Sequence, residues 1–292
     1  MTSNVAVLLD GLYFAEGPRW HDDRLWFSDF YDHAVRAVDL DGNVATMVTV
    51  EGDQPSGLGW LPDGRLLVVS MQRRTLLRLD DDTLVDHADL SGVATFHCND
   101  MVVDSSGRAY VGNFGFDLDA AADSGDFRGA LAAYEGAAIA RVDPDGTVSA
   151  ATPNLRFPNG TVITPDGSTM IVAETLGRRL TAFDISTDGA LTNQRVWAEL
   201  GSMVPDGIAL DAQGGVWLAD AGGPRCVHVR EGGEVLQVID TDQPCYACML
   251  GGPDGRHLFM LTAESSRPAI ASASRTGRIL MTTVDVPHAG LP

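Results

Sequence analysis

The stretch PNGTVITPDGSTMIVAE, residues 158–174, shows the local pattern on which the fold of this chain depends. Two apolar runs, one around Val162 and one around Ile171, flank a Pro-Asp-Gly turn. Short apolar runs joined by a turn rich in proline, aspartate and glycine are typical of a β-hairpin. Residues 158–174 are therefore predicted to form two antiparallel strands.

The hairpin pattern recurs along the chain, and a third apolar run follows in most copies. Aligned on their turns, the six copies begin at Gly17, Gly57, Asp100, Gly160, Gly207 and Cys248. The intervals between them are 40, 43, 60, 47 and 41 residues, the period of a propeller blade. We predict an all-β fold, a six-bladed β-propeller, forming a single domain over residues 1–292. A two-sheet sandwich is the alternative, but it does not explain six copies.

One column of residues stands just before these starting points. It consists of Glu16, Ser56, Asn99, Asn159, Asp206 and Ala247. The first strand of a propeller blade lies against the central axis, so these residues should converge at the channel mouth. Four of them offer carboxylate or amide oxygens, which hard cations such as Ca²⁺ and Mg²⁺ prefer. Taken singly, each is more often a turn former. Four in one column favour a metal ion on the axis.

The chain resembles the gluconolactonase and regucalcin (senescence marker protein) family of metal-dependent lactonases, six-bladed propellers with one axial divalent ion. The motifs that carry the resemblance are AEGP around Glu16, ND at Asn99, FPNG around Asn159, PDG around Asp206 and CMLGGPDG from Cys248. It implies that Glu16, Asn159 and Asp206 bind the metal, with Asn99 a fourth ligand or a substrate contact. The expected cofactor is one divalent ion, Ca²⁺ in the first place, with Mn²⁺, Zn²⁺, Mg²⁺ or Fe²⁺ as alternatives.

The family's usual reaction, hydrolysis of a lactone ring, suits such a cage. An ion with open positions polarises an ester carbonyl and stabilises the developing oxyanion. Asp206 is the candidate catalytic residue, a general base beside the attacking water. The alternative, left open by the sequence, is that the ion itself activates the water.

Candidate substrate contacts lie around the third copy. Sugar-lactone members usually carry an arginine two residues before the equivalent of Asn99, and this chain has His97 there. His97 is a candidate hydrogen-bond donor to substrate, or a histidine packed at a blade edge. Asn113, Phe114 and Phe116 are further candidates for the pocket wall, and their aromatic rings favour a less polar lactone or ester.

The long third interval contains an insertion, roughly residues 115–138. Long loops are usually functional or mobile. Because the insertion leaves strand two at the end that approaches the metal, it is a candidate lid. An oligomer contact and a plain surface excursion are the alternatives.

Charge and termini limit the partners. The chain has 40 acidic and 20 basic residues, a net charge of −20, which disfavours nucleic acid and anionic membranes as partners. The N-terminus has a short apolar run at residues 5–9 and no basic segment, so we expect neither a signal peptide nor a membrane span, and a cytoplasmic location. This run is predicted to be a strand that completes the last blade beside residues 278–286.

The four cysteines, Cys98, Cys226, Cys245 and Cys248, are expected to be reduced. Cys245 and Cys248 have the spacing of a metal or redox pair, but zinc needs a second pair, so we interpret them as packing.

The favoured function is that of a metal-dependent hydrolase that opens a small-molecule lactone. The same site on an ester, a phosphotriester or an epoxide is one alternative. A non-catalytic ligand-binding propeller with a structural ion is the other, and the oligomeric state stays open.

Overall fold

The computed structural model describes residues 5–292, which form six four-stranded antiparallel sheets. The first strand of each sheet contacts the first strands of both neighbouring sheets, which closes the ring. This confirms the predicted six-bladed β-propeller and excludes the two-sheet sandwich.

The first three blades follow one another along the chain, each from an inner to an outer strand. Blade 1 consists of β2 (Ala15–His21), β3 (Arg24–Asp29), β4 (Ala34–Val38) and β5 (Val44–Thr49). Blade 2 consists of β6 (Pro55–Trp60), β7 (Leu66–Ser70), β8 (Thr75–Asp80) and β9 (Thr83–Asp89). Blade 3 consists of β10 (Cys98–Val103), β11 (Ala109–Asn113), β12 (Ala140–Val142) and β13 (Val148–Ala150).

The last three blades have the same internal order, and the sixth takes its outer strand from the N-terminus. Blade 4 consists of β14 (Pro158–Ile163), β15 (Thr169–Glu174), β16 (Arg179–Ile185) and β17 (Leu191–Glu199). Blade 5 consists of β18 (Pro205–Leu210), β19 (Val216–Asp220), β20 (Arg225–Val229) and β21 (Val235–Asp240). Blade 6 consists of β22 (Cys245–Gly251), β23 (His257–Thr262), β24 (Gly277–Thr283) and β1 (Ala6–Leu12).

The N-terminal strand closes the ring as predicted. β1 pairs antiparallel with β24, with Ala6 opposite Met281 and Leu12 opposite Gly277. The first and the last strand of the chain therefore pair in one sheet, and β24 is not left as an unpaired edge.

The apolar core is divided among the interfaces between blades. Leu67 of blade 2 and Met101 of blade 3 belong to one buried cluster, and Ile171 of blade 4 and Leu218 of blade 5 belong to another. Each blade is buried on both faces by its neighbours, so every blade depends on the complete ring.

Three short α-helices occur in residues 5–292, and none was predicted. They are α1 (Leu118–Asp123), α2 (Phe127–Ala133) and α3 (Pro268–Ala271). The insertion of blade 3 contains α1 and α2, which are N-capped by Asp117 and Asp126. Within the described residues, no helix is long and apolar enough to cross a membrane.

Candidate metal centre and active site

Four residues of the predicted column meet at the floor of a cavity of about 480 Å³ at the mouth of the central channel. They are Glu16, Asn99, Asn159 and Asp206, called here the floor residues. Each comes from the first strand of a different blade, and their exposed fractions lie between 5% and 9%. The structure thus brings together all four predicted metal ligands.

Hydrogen bonds orient the two amides of the floor. Ser56 Oγ donates to Asn99 Oδ1 at 3.4 Å, and Asn99 Nδ2 donates to Asn159 Oδ1 at 3.0 Å. Asn159 Nδ2 in turn donates to Thr175 Oγ1 at 3.1 Å, and that hydroxyl donates to the Pro205 carbonyl at 2.8 Å. Each amide oxygen accepts one bond here and keeps a second lone pair for another partner.

The two floor carboxylates lie in an environment that disfavours their charge. Burial raises the pKa of Glu16 well above its usual range, and the charges of Asp206 and Asp100 add to the rise. Burial also raises the pKa of Asp206, again with a contribution from Asp100, although a hydrogen bond with Asn159 opposes it. Like charges and desolvation therefore act in the same direction at this floor.

No basic side chain of the described residues pairs directly with these carboxylates, although Arg19 lies near enough to Glu16 to act on its charge. Within residues 5–292 neither Glu16 nor Asp206 forms a salt bridge. The neighbouring Arg19 directs its guanidinium to the carbonyls of Leu58, Pro18 and Met101. Two buried carboxylates without a salt-bridge partner and two amide oxygens make a donor set that fits a hard divalent ion.

The donor set differs from a cluster of acidic, histidine and cysteine ligands. Among the described residues, no three or more side chains of those types are grouped so that they could hold a metal. The fit here rests on two amides as well as two carboxylates, as expected of an oxygen-only site.

The sixth position of the column is Tyr246, and the prediction of Ala247 was wrong. In blades 1 to 5, the last residue of strand two pairs with a residue at the start of strand one, as Asp220 pairs with Pro205. The column residue is the next residue along the chain. In blade 6 that pair is Cys245 with Thr262, so the next residue is Tyr246, which lines the cavity. Ala247 instead lies one position further along the chain, where it packs closely against Gly207. A Cβ atom added to Gly207 would lie 2.8 Å from the Cα of Ala247.

A second column, absent from the predictions, fixes the segments that lead into the floor. It stands at the end of strand two and consists of Asp29, Ser70, Asn113, Glu174, Asp220 and Thr262, called here the clamp residues. Asp29 accepts a hydrogen bond from Phe14 N at 3.0 Å, and Asp220 accepts one from Val204 N at 2.9 Å. These backbone groups lie two residues before Glu16 and Asp206, so Asp29 and Asp220 help to position these two floor residues.

The clamp of blade 3 differs from the others. Asn113 is 1% exposed and donates from Nδ2 to the carbonyl of Ala138 at 2.8 Å, while its Oδ1 has no partner among the described residues. It therefore holds the end of the insertion against the blade. Asn113 was predicted as a pocket residue, but it does not line the cavity.

The cavity wall comes from two further repeated positions. The position just before the first strand supplies Phe14, Gln54, His97, Phe157 and Val204. The position just after the second strand supplies Phe30, Met71, Phe114, Thr175 and Ala221. The two positions of one blade are joined through the backbone, as in the bond of 3.0 Å from Phe30 N to Phe14 O. We call these ten side chains the wall residues.

Two of the predicted substrate contacts are wall residues. His97 stacks on Phe96 with ring centroids 4.0 Å apart, and burial lowers its pKa. Phe114 packs edge-on against Phe157 at 4.7 Å. Phe116 was also predicted for the wall, but it lies outside the cavity lining, against the ring of Tyr134 at 4.6 Å.

The insertion covers part of the cavity, as a lid would. Leu118 and Asp119 of α1 and Phe127 and Leu131 of α2 line it. An ion pair between Asp123 and Arg267 connects α1 to the segment before α3 in blade 6.

The cysteines offer no nucleophile. All four are buried free thiols within the described residues. Burial raises the pKa of Cys98 to about 12 and that of Cys226 well above its usual range, so both thiols stay protonated near neutral pH.

Similarity to known proteins agrees with this geometry. The chain is 28% identical to pentonolactonase XacC of Haloferax volcanii over 85% of this chain and 81% of the relative. It is 23% identical to the gluconolactonase of Zymomonas mobilis, over 91% and 80%. In fold it is similar to a calcium-binding protein, regucalcin, from Agrobacterium tumefaciens, with a TM-score of 0.78 and 20% identity over 100% and 97% of the two chains.

The family follows from a match along most of the chain. The profile of the SMP-30/Gluconolactonase/LRE-like region matches residues 14–264, from the first wall residue to beyond the last clamp residue. This confirms the resemblance predicted from the motifs: the chain belongs to the SMP-30/Gluconolactonase/LRE-like family.

Proposed function

We propose that this protein is a divalent-metal-dependent lactonase whose metal is held by Glu16, Asn159, Asp206 and Asn99. The observation that carries the proposal is the pair of buried floor carboxylates, without a salt-bridge partner within residues 5–292, at the base of a substrate-sized cavity. Family membership and the lactonase names of the relatives confirm the predicted class of enzyme, a hydrolase of lactones.

The choice of metal follows from the donors. Carboxylate and amide oxygens without thiolate or imidazole favour Ca²⁺, with Mg²⁺ and Mn²⁺ as weaker candidates. A structural neighbour that is described as calcium-binding supports the same choice. When bound, the ion supplies a Lewis acid for the ester carbonyl.

The protein's own residues position the reactants around that centre. Asp206 accepts a proton from the water that attacks the carbonyl carbon, since its carboxylate lies at the floor of the cavity where the ester is bound. The bond from the carbonyl carbon to the ring oxygen then breaks, and Asp206 gives the proton to that oxygen, which becomes the hydroxyl of a hydroxy acid. Asn99, whose amide is fixed by Ser56 and Asn159, orients the substrate carbonyl. The wall and lid limit the access of bulk water.

The test is a pH-indicator assay on metal-stripped protein with added Ca²⁺, Mn²⁺, Zn²⁺ or Mg²⁺. We expect acid release from lactones that depends on the metal, and a much slower reaction with acyclic esters, phosphotriesters and epoxides. Faster turnover of one of those classes would replace the lactone assignment. Tight metal binding without any turnover would leave a non-catalytic propeller. The cytoplasmic location stays a prediction.

A further inference from the structure

The wall of the cavity is apolar where the floor is charged. Seven of the ten wall residues are apolar, with aromatic rings from blades 1, 3 and 4. The ring centroid of Phe14 lies 5.4 Å from that of Phe30 and 4.9 Å from that of Tyr246, so these rings form a continuous face on one side. The pair of Phe114 and Phe157 forms the opposing face.

Several polar groups along this wall already have partners. Thr175 Oγ1 bonds to Asn159 and to the Pro205 carbonyl, and Gln54 bonds to Gln72 at 3.2 Å. Apart from the floor residues, the polar side chains that line the cavity and for which the structure shows no side-chain hydrogen bond within residues 5–292 are Tyr31, His97, Asp119, Arg178, Tyr246 and Ser266.

The lid repeats the chemistry of the wall. Leu118, Phe127 and Leu131 extend the apolar surface over the top of the cavity. Each ring hydroxyl of a sugar lactone must give up water, and a buried hydroxyl without a new partner lowers affinity. For each methylene of a hydrocarbon substituent that is buried, the equilibrium constant for transfer out of water rises by roughly fourfold.

We infer that the substrate is a lactone whose ring carries an alkyl or aryl substituent, rather than a polyhydroxylated sugar lactone. The ester group lies at the floor, and the substituent lies between the aromatic wall and the lid. This inference rests on the proposed function and names the substrate class of the same site.

The first test compares kcat/KM of the metal-loaded enzyme for four lactones of equal ring size. These are δ-valerolactone, δ-octalactone, δ-decalactone and D-glucono-δ-lactone. We expect a rise of roughly fourfold per methylene until the cavity is filled, so that δ-decalactone exceeds δ-valerolactone by about a hundredfold or more. D-Glucono-δ-lactone should be the slowest. A sugar lactone that equals or exceeds δ-decalactone, or a series that does not change with chain length, would overturn the inference.

A variant pair locates the effect in the lid. Leu131→Asn adds a polar group inside the cavity, whereas Leu236→Asn makes the same change on the exposed outer strand of blade 5. We expect Leu131→Asn to lower the preference for δ-decalactone over δ-valerolactone by about tenfold, and Leu236→Asn to leave it unchanged. Equal preferences in both variants would place the substituent elsewhere and contradict the inference.

Binding without chemistry separates this inference from the proposed function. The lactams that correspond to δ-decalactone and D-glucono-δ-lactone are resistant to hydrolysis, and their binding is measured by ligand-observed NMR. Preferred binding of the alkyl lactam without turnover of any lactone would reject the proposed lactonase but keep the preference of the wall and lid for an alkyl substituent. Equal or weaker binding of the alkyl lactam would reject the inference, whatever the turnover.

Discussion

The floor and the wall of the cavity occupy neighbouring positions along the chain, yet they have opposite chemistry. Glu16 lies two residues after Phe14, and Asn159 lies two residues after Phe157. The floor residues present carboxylate and amide oxygens, while most wall residues present apolar surface. In the function proposed for this protein, one repeat separates two tasks: the floor carries the chemistry, and the wall and lid select what reaches it.

The largest effect should follow from Asp206→Asn at the floor. The amide keeps an oxygen for the metal but cannot accept a proton from water, so turnover should fall by about a hundredfold or more. Metal affinity, measured by calorimetry on the same sample, should fall much less. A metal-saturated variant with unchanged kcat would remove Asp206 from the role of base.

Glu16→Gln should act on the metal before it acts on the chemistry. Loss of one of two floor charges should weaken the affinity for Ca²⁺ by roughly tenfold or more. Asn159→Ala should also weaken the affinity for Ca²⁺. Excess Ca²⁺ should restore most of the turnover in both variants, which a titration of activity against metal would reveal. Activity that excess metal does not restore would assign these residues to the chemical step instead.

Substitution of a clamp residue should lower the stability of the protein without changing its substrate preference. Asp220→Asn weakens the buried bonds to Val204 N and Gly222 N and removes the charge opposite Arg225, so the free energy of unfolding should fall by about 1–3 kcal/mol. Asp240→Asn, an exposed change at the end of β21, is the matched control and should have little effect. Chemical denaturation measures both, and the order of preference among lactones should stay the same.

The smallest effect concerns pH and the metal-free protein. The pKa values of Glu16 and Asp206 are raised on folding, so the folded chain binds protons more tightly than the unfolded chain. This contribution is fully present below the ordinary carboxyl pKa, and it is lost as the pH rises through the raised values. Thermal unfolding of metal-free protein should therefore show lower stability at the higher pH, and Glu16→Gln should reduce this dependence. A metal-free protein that gains stability over the same range would contradict the electrostatics of the floor.

The sequence predicted the floor well because the floor lies on the regular part of the repeat. Glu16, Asn99, Asn159 and Asp206 each precede a turn at a similar distance, so aligning the turns aligned the ligands. Blade 6 broke the rule, because β22 has one residue more than most first strands and the alignment selected Ala247 instead of Tyr246. Strand pairing, which only the structure supplies, corrected it.

The wall and lid were harder to predict because they lie where the strands end. Phe14, Phe30 and Phe157 follow repeated positions, but each stands outside the alternating pattern that marks a strand. The fourth, outer strand of each blade was not predicted from the sequence, because residues such as Val44 and Met47 of β5 are exposed and carry no clear pattern. In the insertion, capping by Asp117 and Asp126 was a local helix signal that the β-rich context obscured.

The most direct test of the account is a titration of metal-stripped protein with Ca²⁺, in which bound metal and lactone hydrolysis are followed in the same sample. The account predicts that turnover rises in proportion to bound metal and reaches its maximum at one ion per chain. Metal-stripped protein that hydrolyses lactones at the full rate, or one bound ion per chain without hydrolysis, would contradict it.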